Sequence, residues 1–228
     1  MNYPEYAIIV AGGKGTRIKS QTPKQFIELN GKPVLLHTLE VFFRYSDNLH
    51  VILVLPKDDF ETWKIICEIH NFKKPVVLQQ GGDTRFQSVK NGLSRIDGDG
   101  YVAIHDGVRP LVNEGIIRTS FKLAKINQSA IAAVPLNESI RMTDRGGTKA
   151  MDRSKFHLIQ TPQTFQVALI KKAYEQKEDV HFTDDASVVE KAGHRVSLFQ
   201  GSFTNLKITN QEDLIVAEAL LQARLKSN

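Results

Sequence analysis

Apolar residues along this chain fall into two repeating patterns, short unbroken runs and longer stretches at helical spacing. Ala7, Ile8, Ile9 and Val10 form a run with no polar break, the pattern of a strand buried on both faces of a parallel sheet. Pro33 can open a helix to about residue 45, where Leu36, Leu39, Phe42 and Phe43 recur at helical spacing. Residues 51–55 read as a second buried strand. Residues 58–70 read as a helix with Asp58 and Asp59 at its positive N-terminal end. A third strand at 76–78 stops before Gly81-Gly82-Asp83, and 86–96 is amphipathic. Strand, helix and strand follow at 101–104, 113–126 and 130–134. Further on, a helix begins near Gln166, another runs from an N-cap at Thr183 to about residue 192, and strands at 196–199 and 205–209 precede a helix over 211–226. This alternation predicts an α/β, Rossmann-like, mostly parallel sheet with helices on both faces, as a single domain over residues 1–228.

Residues 136–156 break the alternation. Positions on either side of Asp144-Arg145-Gly146-Gly147 alternate, which is a hairpin signal. With Arg141, Thr143, Lys149 and Asp152 there is little to bury. A lone two-stranded hairpin is marginal in water, so this one is expected to protrude as an arm that rests on something else.

Bulk composition narrows the function classes. Hydrophobic content of 41% and charged content of 24% suit a soluble globular protein, and no run approaches the 18 or so apolar residues of a membrane span. The N-terminus lacks the layout of a secretion signal, so a cytoplasmic location is expected, with no membrane partner. The single cysteine, Cys67, excludes an intramolecular disulfide and a cysteine-rich metal site. A net charge of +5 and a pI near 9.2 could serve nucleic acid. The basic residues are spread out and not interleaved with aromatics, which argues against that partner and for polyanionic small molecules.

The chemistry gathers behind the strands, where ligands of such sheets bind. Gly12, Gly13 and Gly15 follow the first strand, with Lys14, Arg17, Lys19 and Lys24 close by. Glycines allow close approach of backbone N–H groups to an anion, and the cations suit several phosphates. The spacing fits neither G-x-x-x-x-G-K-[ST] nor G-x-G-x-x-G, since Lys14 precedes Gly15-Thr16 and Ile18 stands where a third glycine belongs. Two further loops, Gly81-Gly82-Asp83-Thr84-Arg85 leading to Ser88, and His105-Asp106-Gly107-Val108-Arg109-Pro110, also follow strands. Asp106 could hold Mg2+ between phosphate oxygens or hydrogen-bond a ribose; alone it would read as a turn residue. His105 reads as a structural hydrogen-bonder. Lys207, between Leu206 and Ile208, calls for an anion at its head.

The runs AGGKGTR and PKQF resemble the signature of the polyol-phosphate cytidylyltransferases within the nucleotidyltransferase superfamily, above all the 2-C-methyl-D-erythritol 4-phosphate cytidylyltransferase family. GGDTRFQSV resembles that family's cytosine-reading segment, which places Gly82, Asp83 and Ser88 at the base and Ala11, Gly12 and Gly13 at the nucleotide. HDGVRP resembles HDAARP, which implies Asp106 near ribose and metal and Arg109 near the alcohol. Gly107 replaces an alanine, a change expected to loosen the loop. MDRSKF matches an arm exchanged between two subunits, in which Arg153 holds the substrate phosphate; Ser139 stands where threonine is usual. TPQ and TDDAS bring Thr161 and Thr183 to the polyol, and NLKIT resembles NIKVT, whose lysine, here Lys207, binds the same phosphate.

The resemblance implies transfer of a cytidylyl group from CTP to 2-C-methyl-D-erythritol 4-phosphate in non-mevalonate isoprenoid biosynthesis. The partners are then CTP, the polyol phosphate and a second copy of the chain, with Mg2+ or another divalent cation as cofactor. A phosphate monoester is already a nucleophile, so alignment and cations carry catalysis, with Arg17 and Lys24 on the charge that develops. Two rivals are ribitol 5-phosphate cytidylyltransferase, which shares the glycine loop and HD-x-x-RP, and a non-catalytic nucleotide or nucleic-acid binding module.

Overall fold

The structure is a computed structural model and describes residues 3–13 and 22–226. Strand β1 (Glu5–Val10) shows why the first apolar run is unbroken: Ala7 and Ile9 enter one hydrophobic cluster and Ile8 the other, on opposite faces of the sheet. A short turn at Lys24–Phe26 leads to the paired two-residue strands β2 (Glu28–Leu29) and β3 (Lys32–Pro33). Helix α1 (Val34–Tyr45) starts directly behind Pro33. Then come β4 (His50–Leu55), α2 (Phe60–Ile69), β5 (Val76–Gln80), α3 (Arg85–Leu93), β6 (Tyr101–Asp106), α4 (Glu114–Asn127) and β7 (Ser129–Pro135).

The arm follows as β8 (Ile140–Asp144) and β9 (Gly147–Met151), an antiparallel pair whose residues are exposed apart from half-buried Ile140 and Met151. The chain returns through β10 (His157–Gln166) to α5 (Val167–Ala173), α6 (Asp185–Lys191), β11 (Leu198–Gln200) and α7 (Gln211–Lys226).

The described residues form a seven-stranded sheet in the order β11-β7-β10-β6-β1-β4-β5. Its pairs are parallel except those of β10, which runs antiparallel to both β6 and β7. Leu36, Phe42, Trp63 and Phe121 carry α1, α2 and α4 onto one face, and Phe86, Ile170 and Val189 carry α3, α5 and α6 onto the other. Helix α7 closes a smaller cluster with Leu29, Val108 and Ile208. From β1 the chain steps outward through β4 and β5, then returns to β1's other side as β6. The carboxyl ends of β1 and β6 therefore flank the switch point at which open α/β sheets bind ligands.

One strand is added to those expected and one expectation is corrected. Strand β10 was not anticipated, because HLIQTPQTFQ is polar and holds a proline; its buried polar groups are satisfied by partners such as Ser120, which accepts from Thr164 at 2.9 Å. Residues 205–209 are not a strand; they are tied to the loop after β6 by the Ile208 N–H on the Val108 carbonyl at 2.9 Å.

Candidate active site

The first cleft, of about 770 Å³, opens behind β1 and β4. Ala11, Gly12 and Gly13 line one side, Lys24 reaches the open face of Gly13, and Gly82, Asp83 and Ser88 line the other. Lys24 is placed by its turn, which buried Gln25 anchors by donating to Asp59 Oδ2 at 2.8 Å. The loop at Gly82 is fixed by its own hydrogen bonds. The Gly82 N–H donates to Ser88 Oγ at 3.1 Å, the Asp83 N–H to Gln87 Oε1 at 3.0 Å, and Thr84 caps α3 through the Gln87 N–H. A side chain at Gly82 would stand 2.4 Å from Gln87 Cβ, so the turn requires glycine there.

A second cleft, of about 660 Å³, is lined by Arg109, Thr161, Thr183 and Ser187 among others. Arg85, Asp106 and Lys207 line both clefts and form the wall between them. Asp106 ends β6 and is buried among cations: Arg109 Nε lies 3.0 Å and Lys207 Nζ 3.2 Å from Oδ2, and Arg85 Nε lies 3.7 Å from Oδ1. Burial alone would raise the Asp106 pKa, but Arg85, Lys207 and Arg109 outweigh it and hold the carboxyl well below the usual carboxylate range.

Behind this wall, the Asp106 N–H donates to Thr161 Oγ1 at 3.0 Å, and the same hydroxyl lies 3.0 Å from His105 Nδ1. Burial pushes His105 down to about 3, with Asp106 opposing, so the ring is neutral near pH 7. His105 is thus the structural hydrogen-bonder expected. Asn205 donates to the Thr161 carbonyl at 2.8 Å and its own carbonyl accepts from Arg109 at 2.9 Å, which brings the segment carrying Lys207 to the end of β6.

Of the residues singled out in the sequence, Ala11, Gly12, Gly13, Lys24, Gly82, Asp83, Ser88, Asp106 and Lys207 meet at the first cleft. Arg109, Thr161 and Thr183 join Asp106 and Lys207 at the second. Arg17 lies outside the described residues. Ser139 and Arg153 line neither cleft; both are exposed on the arm side, where Arg153 donates to the Asn137 carbonyl.

Three readings change. Asp184, not Thr183, caps α6, in a capping box with Ser187, and exposed Thr183 is left to line the cleft. Lys207 stands in an irregular segment, not a strand, and Asp106 is an anionic partner of it. Gly107 does not loosen its loop: a methyl there would lie 2.9 Å from Ala11 Cβ and 3.0 Å from Leu35 Cδ1. Sequence reasoning also passed over Arg85, Asp185, Tyr174 and Gln163. Arg85 stood inside a quoted run, but its bidentate partner Asp185 lies far along the chain, and nothing local joins them.

A glycine-led cleft at the switch point of an α/β sheet, joined to a second cleft through a charged wall, fits a nucleotidyltransferase, and comparison with known proteins gives that class. The family model for 2-C-methyl-D-erythritol 4-phosphate cytidylyltransferase (IspD) matches residues 6–223, and the chain belongs to that family. It is similar to the 2-C-methyl-D-erythritol 4-phosphate cytidylyltransferase of Bacteroides fragilis, at 46% identity over 94% of this chain and 98% of that one. The enzyme of the same name from Bacteroides thetaiotaomicron is 47% identical, again over 94% and 98% of the two chains. Among solved structures, the 4-diphosphocytidyl-2C-methyl-D-erythritol synthase of Anaerococcus prevotii superposes with a TM-score of 0.84 at 32% identity, covering 96% of each chain.

Proposed function

We propose that the glycine-led cleft takes CTP, that the second cleft takes 2-C-methyl-D-erythritol 4-phosphate, and that the reaction proceeds across the wall they share. The enzyme is a cytidylyltransferase of the non-mevalonate route to isoprenoid precursors. A phosphate oxygen of the polyol phosphate forms a bond to the α-phosphorus of CTP, the bond from that phosphorus to the β-phosphate bridging oxygen breaks, and pyrophosphate leaves. The carrying observation is that Arg85, Asp106 and Lys207 line both clefts, so groups held on either side meet at one set of charges.

In this reading Lys24 and Arg17 stabilise the charge that builds on the phosphoryl oxygens. Lys207 and Arg153 hold the attacking phosphate, and Arg109, Ser139, Thr161 and Thr183 surround the polyol. Gly82, Asp83 and Ser88 receive the base, and Ala11, Gly12 and Gly13 approach the phosphates. Arg153 and Ser139 reach a site as part of an arm exchanged in a homodimer, which is consistent with their exposure and with exposed Leu158 and Ile159 at its base. Neutral, buried His105 orients Thr161 and takes no proton in the reaction.

The residues fit a Mg2+ ion. Mg2+ usually binds one or two carboxylates plus substrate phosphates. Asp106, which lines both clefts, is the carboxylate that would join that set. When bound, the ion would neutralise charge on the triphosphate.

No helix among the described residues is long and apolar enough to cross a membrane; a cytoplasmic location is part of the proposal and is supported by the need for CTP as substrate. Pyrophosphate release from CTP and Mg2+, run separately with 2-C-methyl-D-erythritol 4-phosphate and ribitol 5-phosphate, tests the reading. Release with the first alone is expected. Release with ribitol 5-phosphate alone would move the enzyme to another pathway, and none with either would leave a nucleotide-binding module.

A further inference from the structure

Arg85 opens α3 and is held from behind. Its Nη1 and Nη2 donate to Oδ1 and Oδ2 of Asp185 at 2.8 and 2.7 Å, a two-pronged pair that fixes the plane of the guanidinium. Asp185 is wholly buried at the first residue of α6, and Tyr174 donates its hydroxyl to Oδ1 at 2.6 Å. The Tyr174 ring stacks on Phe86, the residue after Arg85, with centroids 4.6 Å apart and planes at 18°. Tyr174 therefore braces the pair at two points, through its hydroxyl on the carboxylate and its ring on the backbone neighbour of the arginine.

The two adjacent acids of TDDAS do different work. Asp184 caps α6 and accepts from Gln163 at 2.8 Å, while Asp185 turns inward to Arg85. Replacing a buried ion pair by apolar residues is often neutral or stabilising, so stability alone gives weak reason for one here. What the pair supplies is direction. Arginine has five N–H donors, and the fork to Asp185 uses one on each Nη. Nε, 3.7 Å from Asp106 Oδ1, and the outer Nη protons remain for the wall, where Arg85 lines both clefts. Burial would lower its pKa, but the carboxylates of Asp185 and Asp106 outweigh that, and the guanidinium stays charged.

We propose that Asp185 and Tyr174 are positioning residues for the transfer, aiming the Arg85 guanidinium into the wall between the clefts, where it contacts the phosphate that passes from one substrate to the other. This rests on the cytidylyl-transfer reading given above. Asp185 and Tyr174 themselves touch neither substrate; they act through Arg85.

A double-mutant cycle on the full-length enzyme tests it. Asp185→Asn breaks the symmetric fork, and Tyr174→Phe removes one hydroxyl while keeping the stacked ring. Alone, each is expected to lower kcat, roughly tenfold for Asp185→Asn and about threefold for Tyr174→Phe, from the usual range of coupling between contacting groups. In an Arg85→Lys background, which keeps the charge but has no fork to orient, each is expected to cost less than about twofold. Losses of the same size in both backgrounds, or none in the wild-type background, would overturn the proposal. If Asp185→Asn does not fold, the Tyr174→Phe cycle decides alone. A wild-type enzyme that releases no pyrophosphate would instead sink the underlying reading, so the two failures are separable.

Discussion

Lys207 Nζ stands 3.2 Å from Asp106 Oδ2, joining the loop segment before α7 to the end of the central strand β6. The contact leaves the lysine head partly open, at 38% side-chain exposure, in the wall shared by the two clefts. Lys207→Ala removes the cation proposed to hold the attacking phosphate and leaves Asp106 with two cationic neighbours. The expected outcome is a loss of roughly 10²–10³ in kcat/KM for the polyol phosphate, on the scale of a lost transition-state contact. Steady-state kinetics with CTP saturating checks it; a loss under twofold would remove Lys207 from the site.

Lys24 belongs to the other cleft. Lys24→Ala is expected to lower kcat by roughly 10²–10³, since a cation that meets developing charge contributes more to the transition state than to bound CTP. A variant that keeps half the wild-type kcat and shows only weakened CTP binding would contradict this.

How far the sequence reached depends on the range of the interactions involved. The apolar runs of β1 and β4 announced strands covered on both faces, and both are so covered. The three loops that line the clefts were legible because glycine and charge sit directly behind strands. Strand β10 was hidden, since its burial rests on hydrogen bonds to distant partners and not on apolar side chains. The segment around Lys207 misled in the opposite direction: Leu206 and Ile208 look like a strand, yet Ile208 is buried under α7. Arg85 and Asp185 could not be paired from local pattern, because each reads alone as an ordinary first-turn residue of a helix.

Acid stability carries a signature of His105. Burial lowers its pKa to about 3 from an ordinary value of 6.5, so below 6.5 the unfolded chain binds a proton that the fold refuses. Stability therefore falls as pH drops from 6.5 toward 3, by about 1.4 kcal/mol per pH unit for this one group. His105→Gln should flatten that slope by about the same amount. Urea midpoints at pH 7, 6 and 5 for both proteins supply the comparison, and equal slopes would exclude His105 as the source.

Gly107 is packed as tightly as a core residue. Its N–H donates to the Val10 carbonyl at 2.8 Å, its carbonyl accepts from Thr38 at 3.1 Å, and an added methyl would crowd Ala11 and Leu35. Gly107→Ala, which restores the residue usual in the resembling HDAARP run, is expected to destabilise this protein by about 1–3 kcal/mol through overpacking. Thermal melts would show it as a lower Tm; a raised Tm would mean the pocket relaxes around the methyl.

The exchanged arm can be tested by mixing two dead enzymes. If Arg153 completes the partner's site, dimers formed between Arg153→Ala and Lys207→Ala subunits contain one site with both residues intact. Random reassortment of closed dimers then restores about a quarter of wild-type activity. Activity that stays at the level of the separate variants would place Arg153 in its own subunit's site, and an Arg153→Ala variant that is itself active would place it outside any site.

The common wall has a consequence for ligand design. If the clefts take the substrates as proposed, one molecule carrying a cytidine at one end and a phosphorylated polyol at the other would occupy both chambers in a single docking event. Once its first half binds, the second meets its chamber at a high effective concentration, a gain of roughly 10²–10⁴ over either half alone when the link spans the wall without strain. The reaction's own product has this two-ended form, so on the proposed placement of the substrates the shared wall would also favour retention of what they become.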